Sequence, residues 1–242
     1  NVSIHPNKYG LLSLGQFISS RGKCESFGAA GVGYVASASV GAVLLKRLAD
    51  AERDGDHIYG VIKSSALNHG GKTNVYSVHN PRAQQMAISR ALREADIDPR
   101  AIGYIEAHGT GTKLGDPIEI AGLTRAFGRH RPADETCWIG SSKSNIGHSE
   151  AAAGIAGLTK VLLQMREGQI APSLHSATPN PNIDFPSTPF QVNQQLRAWQ
   201  RPLIDGRLHS RCAGISSFGA GGANAHLIVE EYACSNEHAA MQ

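Results

Sequence analysis

Positive charge is nowhere concentrated in this sequence of 242 residues: no Lys/Arg run exceeds the pair Lys46–Arg47, and the net charge is +3 at pH 7. Such a chain lacks the basic tract that nucleic acids and anionic membrane surfaces require, so neither is expected as a partner. No apolar run approaches the roughly 20 residues of a membrane span, and no secretory leader stands out. Cysteine is scarce. Cys24, Cys137, Cys212 and Cys234 are widely spaced, with no CxxC pair, which argues against a disulfide framework and for reduced thiols in the cytoplasm. There are eleven histidines, yet no HxxxH, HExxH or paired Cys/His spacing, so no metal site is expected. The chain opens on Asn1 in mid-pattern, which suggests part of a larger domain.

Glycine, by contrast, is abundant at 27 residues, and the composition is otherwise that of an ordinary globular protein, 41% hydrophobic and 18% charged. Strand-like and helix-like segments alternate, which predicts a layered α/β fold around a largely buried sheet. The run Val40–Leu45 reads as a strand buried on both faces. A helix over Lys46–Arg53 ends at Asp54–Gly55–Asp56, and His57–Ala66 reads as a second strand. The stripe Ala83, Ala87, Ala91, Leu92 and Ala95 has helical spacing, with Asn80 as cap and Pro81 in the first turn. Ile102–Ile105 and Trp138–Ile139 read as short buried strands. Asp116, Pro117 and Glu119 have the pattern of an N-cap, N1 and N3 of a helix running to about Phe127. A further helix is expected from about Ser149 to Arg166. Residues 171–189 are proline-rich and irregular, Gly214–Phe218 and Ala225–Val229 form a hairpin, and residues 233–242 form a tail or linker after a unit at 1–232.

The chemistry-bearing residues cluster in two matching places. His108 and His148 each follow a strand and precede a Gly- or Ala-rich turn into a helix. Two neutral imidazoles donating N–H groups to one oxygen would make an oxyanion hole; alternatively, one could serve as a base. A helix start, with its positive dipole end, favours a neutral ring. Lys143 lies five residues before His148 among Ser, Asn and Gly, where it reads either as a solvated lysine or as a buried ammonium held by hydroxyls and a histidine. Thr110 and Thr112 alternate with glycines and suit either an extended amide-bearing ligand or simple turn chemistry. Phe218, beside the Gly219–Gly222 turn, either plugs the core or lines a pocket with its N–H exposed. The glycine-rich loop precedes a strand, not a helix, so it is a poor phosphate cradle.

Taken together these motifs resemble the β-ketoacyl synthase family: Glu106–Ala107–His108–Gly109–Thr110–Gly111–Thr112 with Gly115–Asp116–Pro117–Ile118–Glu119, then Lys143–Ser144–Asn145–Ile146–Gly147–His148, then Ser217–Phe218–Gly219–Ala220–Gly221–Gly222–Ala223–Asn224–Ala225–His226. Val2–Tyr9 and Asn68–Asn74 further resemble ketosynthase domains of bacterial modular polyketide synthases whose acyltransferase is supplied in trans. The resemblance covers nearly the whole chain but only the second half of such a domain.

It implies an incomplete thiolase-like α/β fold, a homodimer, and decarboxylative Claisen condensation of an acyl chain with a malonyl unit on an acyl carrier protein. By the same resemblance His108 and His148 contact the malonyl thioester carbonyl, and Lys143 orders them. Thr110 and Thr112 hold the phosphopantetheine arm, Phe218 gates the pocket and lends a backbone N–H, and Asn145 and Gly219 complete substrate binding. No cofactor is bound by this chain; phosphopantetheine enters as the substrate carrier. The family's nucleophilic cysteine lies in a serine-rich elbow that none of the four cysteines here occupies. The missing N-terminal half would supply it, so the isolated chain is expected to be inactive. The rival readings are a thiol-free malonyl decarboxylase and a non-catalytic dimerisation or carrier-docking half. Ala36–Ser39 stands where the family usually has Gly–acid–Gly, and Val32 where it usually has Asp, which removes acid from near Lys143.

Overall fold

In a computed structural model, residues 1–71, 80–128 and 136–233 are described. Helix α1 (Pro6–Leu14) and α2 (Leu48–Asp54) precede strand β1 (Val61–His69), helix α3 (Pro81–Ala95) and β2 (Ile102–Glu106). Then come α4 (Gly115–Phe127), β3 (Cys137–Gly140), the single turn α5 (Lys143–Ile146) and α6 (Ala153–Glu167). Short strands β4 (Gln169–Ile170), β5 (Phe190–Val192), β6 (Arg197–Ala198), β7 (Leu203–Ile204) and β8 (Arg207–Leu208) lead to the hairpin β9 (Cys212–Phe218) and β10 (Ala223–Glu230).

Six strands form one mixed sheet in the order β1-β10-β9-β2-β3-β5. The β1, β10 and β9 pairings are antiparallel, whereas β9, β2, β3 and β5 run parallel. Each face of this sheet has its own core. On one, Ile88, Ala91 and Leu92 of α3 and Leu123 and Phe127 of α4 pack on Ile102, Ile105 and Ile139. On the other, Leu158, Val161 and Met165 of α6 meet Tyr104, Ala213 and Ile215. Helix, sheet and helix therefore stack as three layers, the thiolase-like arrangement expected.

Local chemistry explains the sharpest boundaries. The Asn80 side chain accepts hydrogen bonds from the N–H groups of Arg82 and Ala83, and Pro81 follows it, so α3 begins as the sequence predicts. Such a cap is worth about 1 kcal/mol. The alanines of α3 let it lie close to β1 and β10. Gly55 ends α2 in the left-handed conformation.

Other expectations shift. Val40–Leu45 is not a strand: Val40 is 88% and Leu44 95% exposed, and no strand among the described residues pairs with it. An apolar run signals burial only where something covers it. The second strand starts at Val61 rather than His57 and runs past Ala66 to His69. The helix expected from Ser149 begins at Ala153, after a 3-10 turn over Glu150–Ala152. Lys72–Asn74 and the tail from Cys234 lie outside the described residues.

Candidate active site

Strands β9, β2 and β3 are neighbours and parallel, so their C-terminal ends open on one edge of the sheet. Phe218 closes β9, His108 follows β2 by two residues, and β3 runs into Ser141, α5 and His148. Residues spread over 110 positions of sequence thus meet in one place, the edge at which α/β sheets commonly hold ligands. The rings of His108 and His148 lie edge to face, centroids 5.3 Å apart and planes at 82°. Phe218 stacks its ring 5.9 Å from that of His108.

Backbone donors set the tautomers. The Glu150 N–H donates to Nδ1 of His148 at 3.0 Å, and the Phe218 N–H donates to Nδ1 of His108 at 3.4 Å. A ring nitrogen that accepts a hydrogen bond carries no proton, so in both rings the proton sits on Nε2. Phe218 is itself buried, and its N–H, anticipated as open to a ligand, is directed at His108 instead.

His148 is held by an isolated bridge to an extended segment around Ala36. The Val35 carbonyl accepts from the His148 N–H at 2.7 Å, the Ser37 N–H donates to the His148 carbonyl at 3.0 Å, and Tyr34 packs on the imidazole. Burial, with the Lys143 and Lys8 charges added, lowers the His148 pKa to about 3, so the ring is neutral at physiological pH. Its neutrality comes from desolvation and nearby cations rather than from a helix start, since α6 begins five residues later.

Lys143 is buried, as one of the two sequence readings requires, but hydroxyls and a histidine do not hold it. The hydrogen bonds of the described residues include none from its Nζ. Burial lowers its pKa, and the carboxylates of Glu106, Glu119 and Asp116 oppose that shift. These three acids act on the lysine electrostatically although Ala36–Ser39 contributes none.

Asp116 and Glu119 were missed as site residues because their positions fit helix capping. Both are buried, and neither caps α4, whose N-cap is Leu114. The two oxygens of Glu119 accept the N–H groups of His108 and Gly109, at 2.7 and 2.8 Å. Those of Asp116 accept the N–H groups of Phe27 and Gly111, at 2.7 and 3.1 Å. Burial pushes Asp116 up to about 6 and Glu119 to about 7, against these backbone donors and Lys143. The pair anchors the loop that carries His108. Only the coincidence of two acids one helical turn apart with a His–Gly–Thr–Gly–Thr loop hinted at this.

The remaining expected residues divide. The hydroxyls of Thr110 and Thr112 lie side by side at 3.3 Å, and Thr112 also accepts the Gly115 N–H, so turn chemistry engages one of them. Asn145 is exposed on α5, where its Oδ1 accepts from Ser144. Gly219 gives its N–H to the Ala223 carbonyl in the hairpin turn, so that donor is already used. Cys24, Cys137 and Cys212 are buried, and burial raises the Cys24 and Cys212 thiols, the reverse of activation.

Three family descriptions match consecutive parts of the chain: the β-ketoacyl synthase N-terminal domain over residues 1–51, its C-terminal domain over 59–177, and the ketoacyl-synthetase C-terminal extension over 179–241. The chain is 61% identical over 237 residues to polyketide synthase PksL of Bacillus subtilis (strain 168), covering 96% of this chain and 5% of that protein. It is 60% identical over 240 residues to polyketide synthase ThaG of Burkholderia thailandensis, covering 98% and 4%. Among solved structures it superposes on the oxazolomycin ketosynthase domain OzmH KS7 of Streptomyces albus JA3453 with a TM-score of 0.93 and 52% identity, over 96% of this chain and 40% of that one. The ketosynthase from module 6 of the Bacillus subtilis 168 bacillaene synthase gives 0.86 and 38%, over 96% and 41%. The chain therefore spans a small part of these synthases and about two fifths of the solved ketosynthases. It belongs to the β-ketoacyl synthase family, as a ketosynthase portion of a modular polyketide synthase.

Proposed function

We propose that this chain supplies the decarboxylating side of a β-ketoacyl synthase active site. Its substrate is a malonyl unit on the phosphopantetheine arm of an acyl carrier protein. The bond to the malonyl carboxylate breaks, carbon dioxide leaves, and the electron pair passes through the α-carbon onto the thioester oxygen as an enolate. The Nε2–H groups of His108 and His148 donate to that oxygen, which makes them an oxyanion hole preorganised before the charge develops. Lys143 keeps His148 from taking a proton, because like charges so close repel. The α-carbon then attacks the acyl thioester on a cysteine, forming the new carbon–carbon bond and expelling the thiolate.

That cysteine comes from outside this chain, which on its own is inactive in condensation. The buried thiols support this, none of them placed for activation. The exposed apolar run Val40–Leu45 fits a surface completed by the rest of the ketosynthase, itself paired as a homodimer in the cytoplasm. Thr110 and Thr112 hold the amide-bearing arm where it approaches the histidines. No helix among the described residues is long and apolar enough to cross a membrane.

One observation carries the reading: two adjacent imidazoles whose Nδ1 atoms are both occupied by backbone donors. The test is carbon dioxide release from malonyl carrier protein by the ketosynthase domain that contains these residues. His108→Ala and His148→Ala are each expected to slow release by roughly 100-fold, the usual cost of one lost oxyanion donor. Undiminished release in both variants would refute the proposal.

A further inference from the structure

Glu150 has φ +47°, in the left-handed region that side-chain-bearing residues avoid. Its N–H is committed to Nδ1 of His148, so the chain enters α6 by turning sharply at that residue. Such conformations persist where surrounding contacts over-determine them. Here the contact comes from α1, 142 residues earlier: Lys8 Nζ forms an ion pair with the Glu150 carboxylate and also donates to Ser3 Oγ at 2.9 Å. The two side chains are 30% and 24% exposed, so solvent screens the pair only in part. The Tyr34 ring, 4.8 Å from that of His148, lies beside the same carboxylate, and burial with that charge pushes its phenol up to about 12. Lys8 belongs to the Val2–Tyr9 segment, to which no step of the proposed reaction assigns a role.

We infer that Lys8 and Glu150 are positioning residues, whose ion pair holds Glu150 left-handed and so keeps its N–H on His148 and the imidazole proton on Nε2. The inference rests on the proposed role of His148. Lys8 touches no reacting atom; apart from its charge, which helps keep His148 neutral, it acts through the Glu150 backbone.

The test is carbon dioxide release from malonyl carrier protein by the complete ketosynthase domain. Lys8→Met is expected to lower kcat about tenfold with KM unchanged, since it misplaces a catalytic donor without touching the binding groups. Lys8→Arg, which keeps the charge, is expected to retain most of the rate. The decisive arm is Glu150→Gly. Glycine adopts positive φ without a clamp, so Lys8→Met added to Glu150→Gly should cause no further loss. An equal loss from Lys8→Met in both backgrounds, or no loss in the first, would overturn the inference. His148→Ala separates the two levels: undiminished release there sinks the role of His148 itself, whatever Lys8 shows.

Discussion

His108 and His148 meet edge to face, 5.3 Å between ring centroids, although they lie 40 positions apart in the chain. Parallel pairing of β2 with β3 brings them together, and buried acids and backbone donors fix how each is turned.

The first consequence concerns Glu119. Its two oxygens each accept a backbone N–H, at His108 and Gly109. Glu119→Gln puts an NH2 group against one of those donors, leaving it unsatisfied at a cost of about 1–3 kcal/mol. The variant should unfold at lower urea concentration than the parent domain and release carbon dioxide more slowly. Equal midpoints would show that the loop does not depend on the carboxylate.

Gly147 precedes His148 at φ +78°, and a β-carbon there would sit 2.9 Å from the Val35 carbonyl and 3.0 Å from Ser37 Cβ. Gly147→Ala therefore combines left-handed strain of about 1–2 kcal/mol with crowding of about 1–3 kcal/mol. It should lower the melting temperature of the domain and its decarboxylation rate together. An unchanged melting temperature would contradict the packing described.

How much of this is legible in the sequence depends on how local the determining contacts are. Both ends of α3 follow from Asn80–Pro81 and the alanine stripe, all within one segment. The β9–β10 hairpin and the matched placement of the two histidines are readable for the same reason. Val40–Leu45 misleads because periodicity reports apolarity, not what covers it. Asp116 and Glu119 look like caps because their spacing fits a helix start equally well, whereas their partners lie in the His108 loop before α4 and, for Asp116, also at Phe27, 89 residues away. The Lys8–Glu150 pair, whose members lie 142 positions apart, leaves no local trace.

His226 lies on β10, fully buried, with Nδ1 3.0 Å from Ser216 Oγ and Nε2 without a partner among the described residues. Burial lowers its pKa from 6.5 to about 3. Below pH 6.5 the unfolded chain takes up a proton that the folded chain refuses until about pH 3. Stability is therefore lost as pH falls through that window, by about 1.4 kcal/mol per unit. His226→Leu removes this one contribution. Between pH 7 and pH 5 the variant should lose about 2 kcal/mol less stability than the parent, as read from urea unfolding at the two pH values. Parallel losses in both proteins would mean that His226 titrates normally.

The central claim is that both active-site imidazoles present an Nε2 proton to a single oxygen. Nitrogen-15 spectra of the ketosynthase domain with labelled histidine, assigned through His108→Ala and His148→Ala, test it most directly. At pH 7 both rings should show a protonated Nε2 and an unprotonated Nδ1, and His148 should keep that form down to pH 5. A proton on Nδ1 of either ring, or a His148 that titrates near 6.5, would contradict the account.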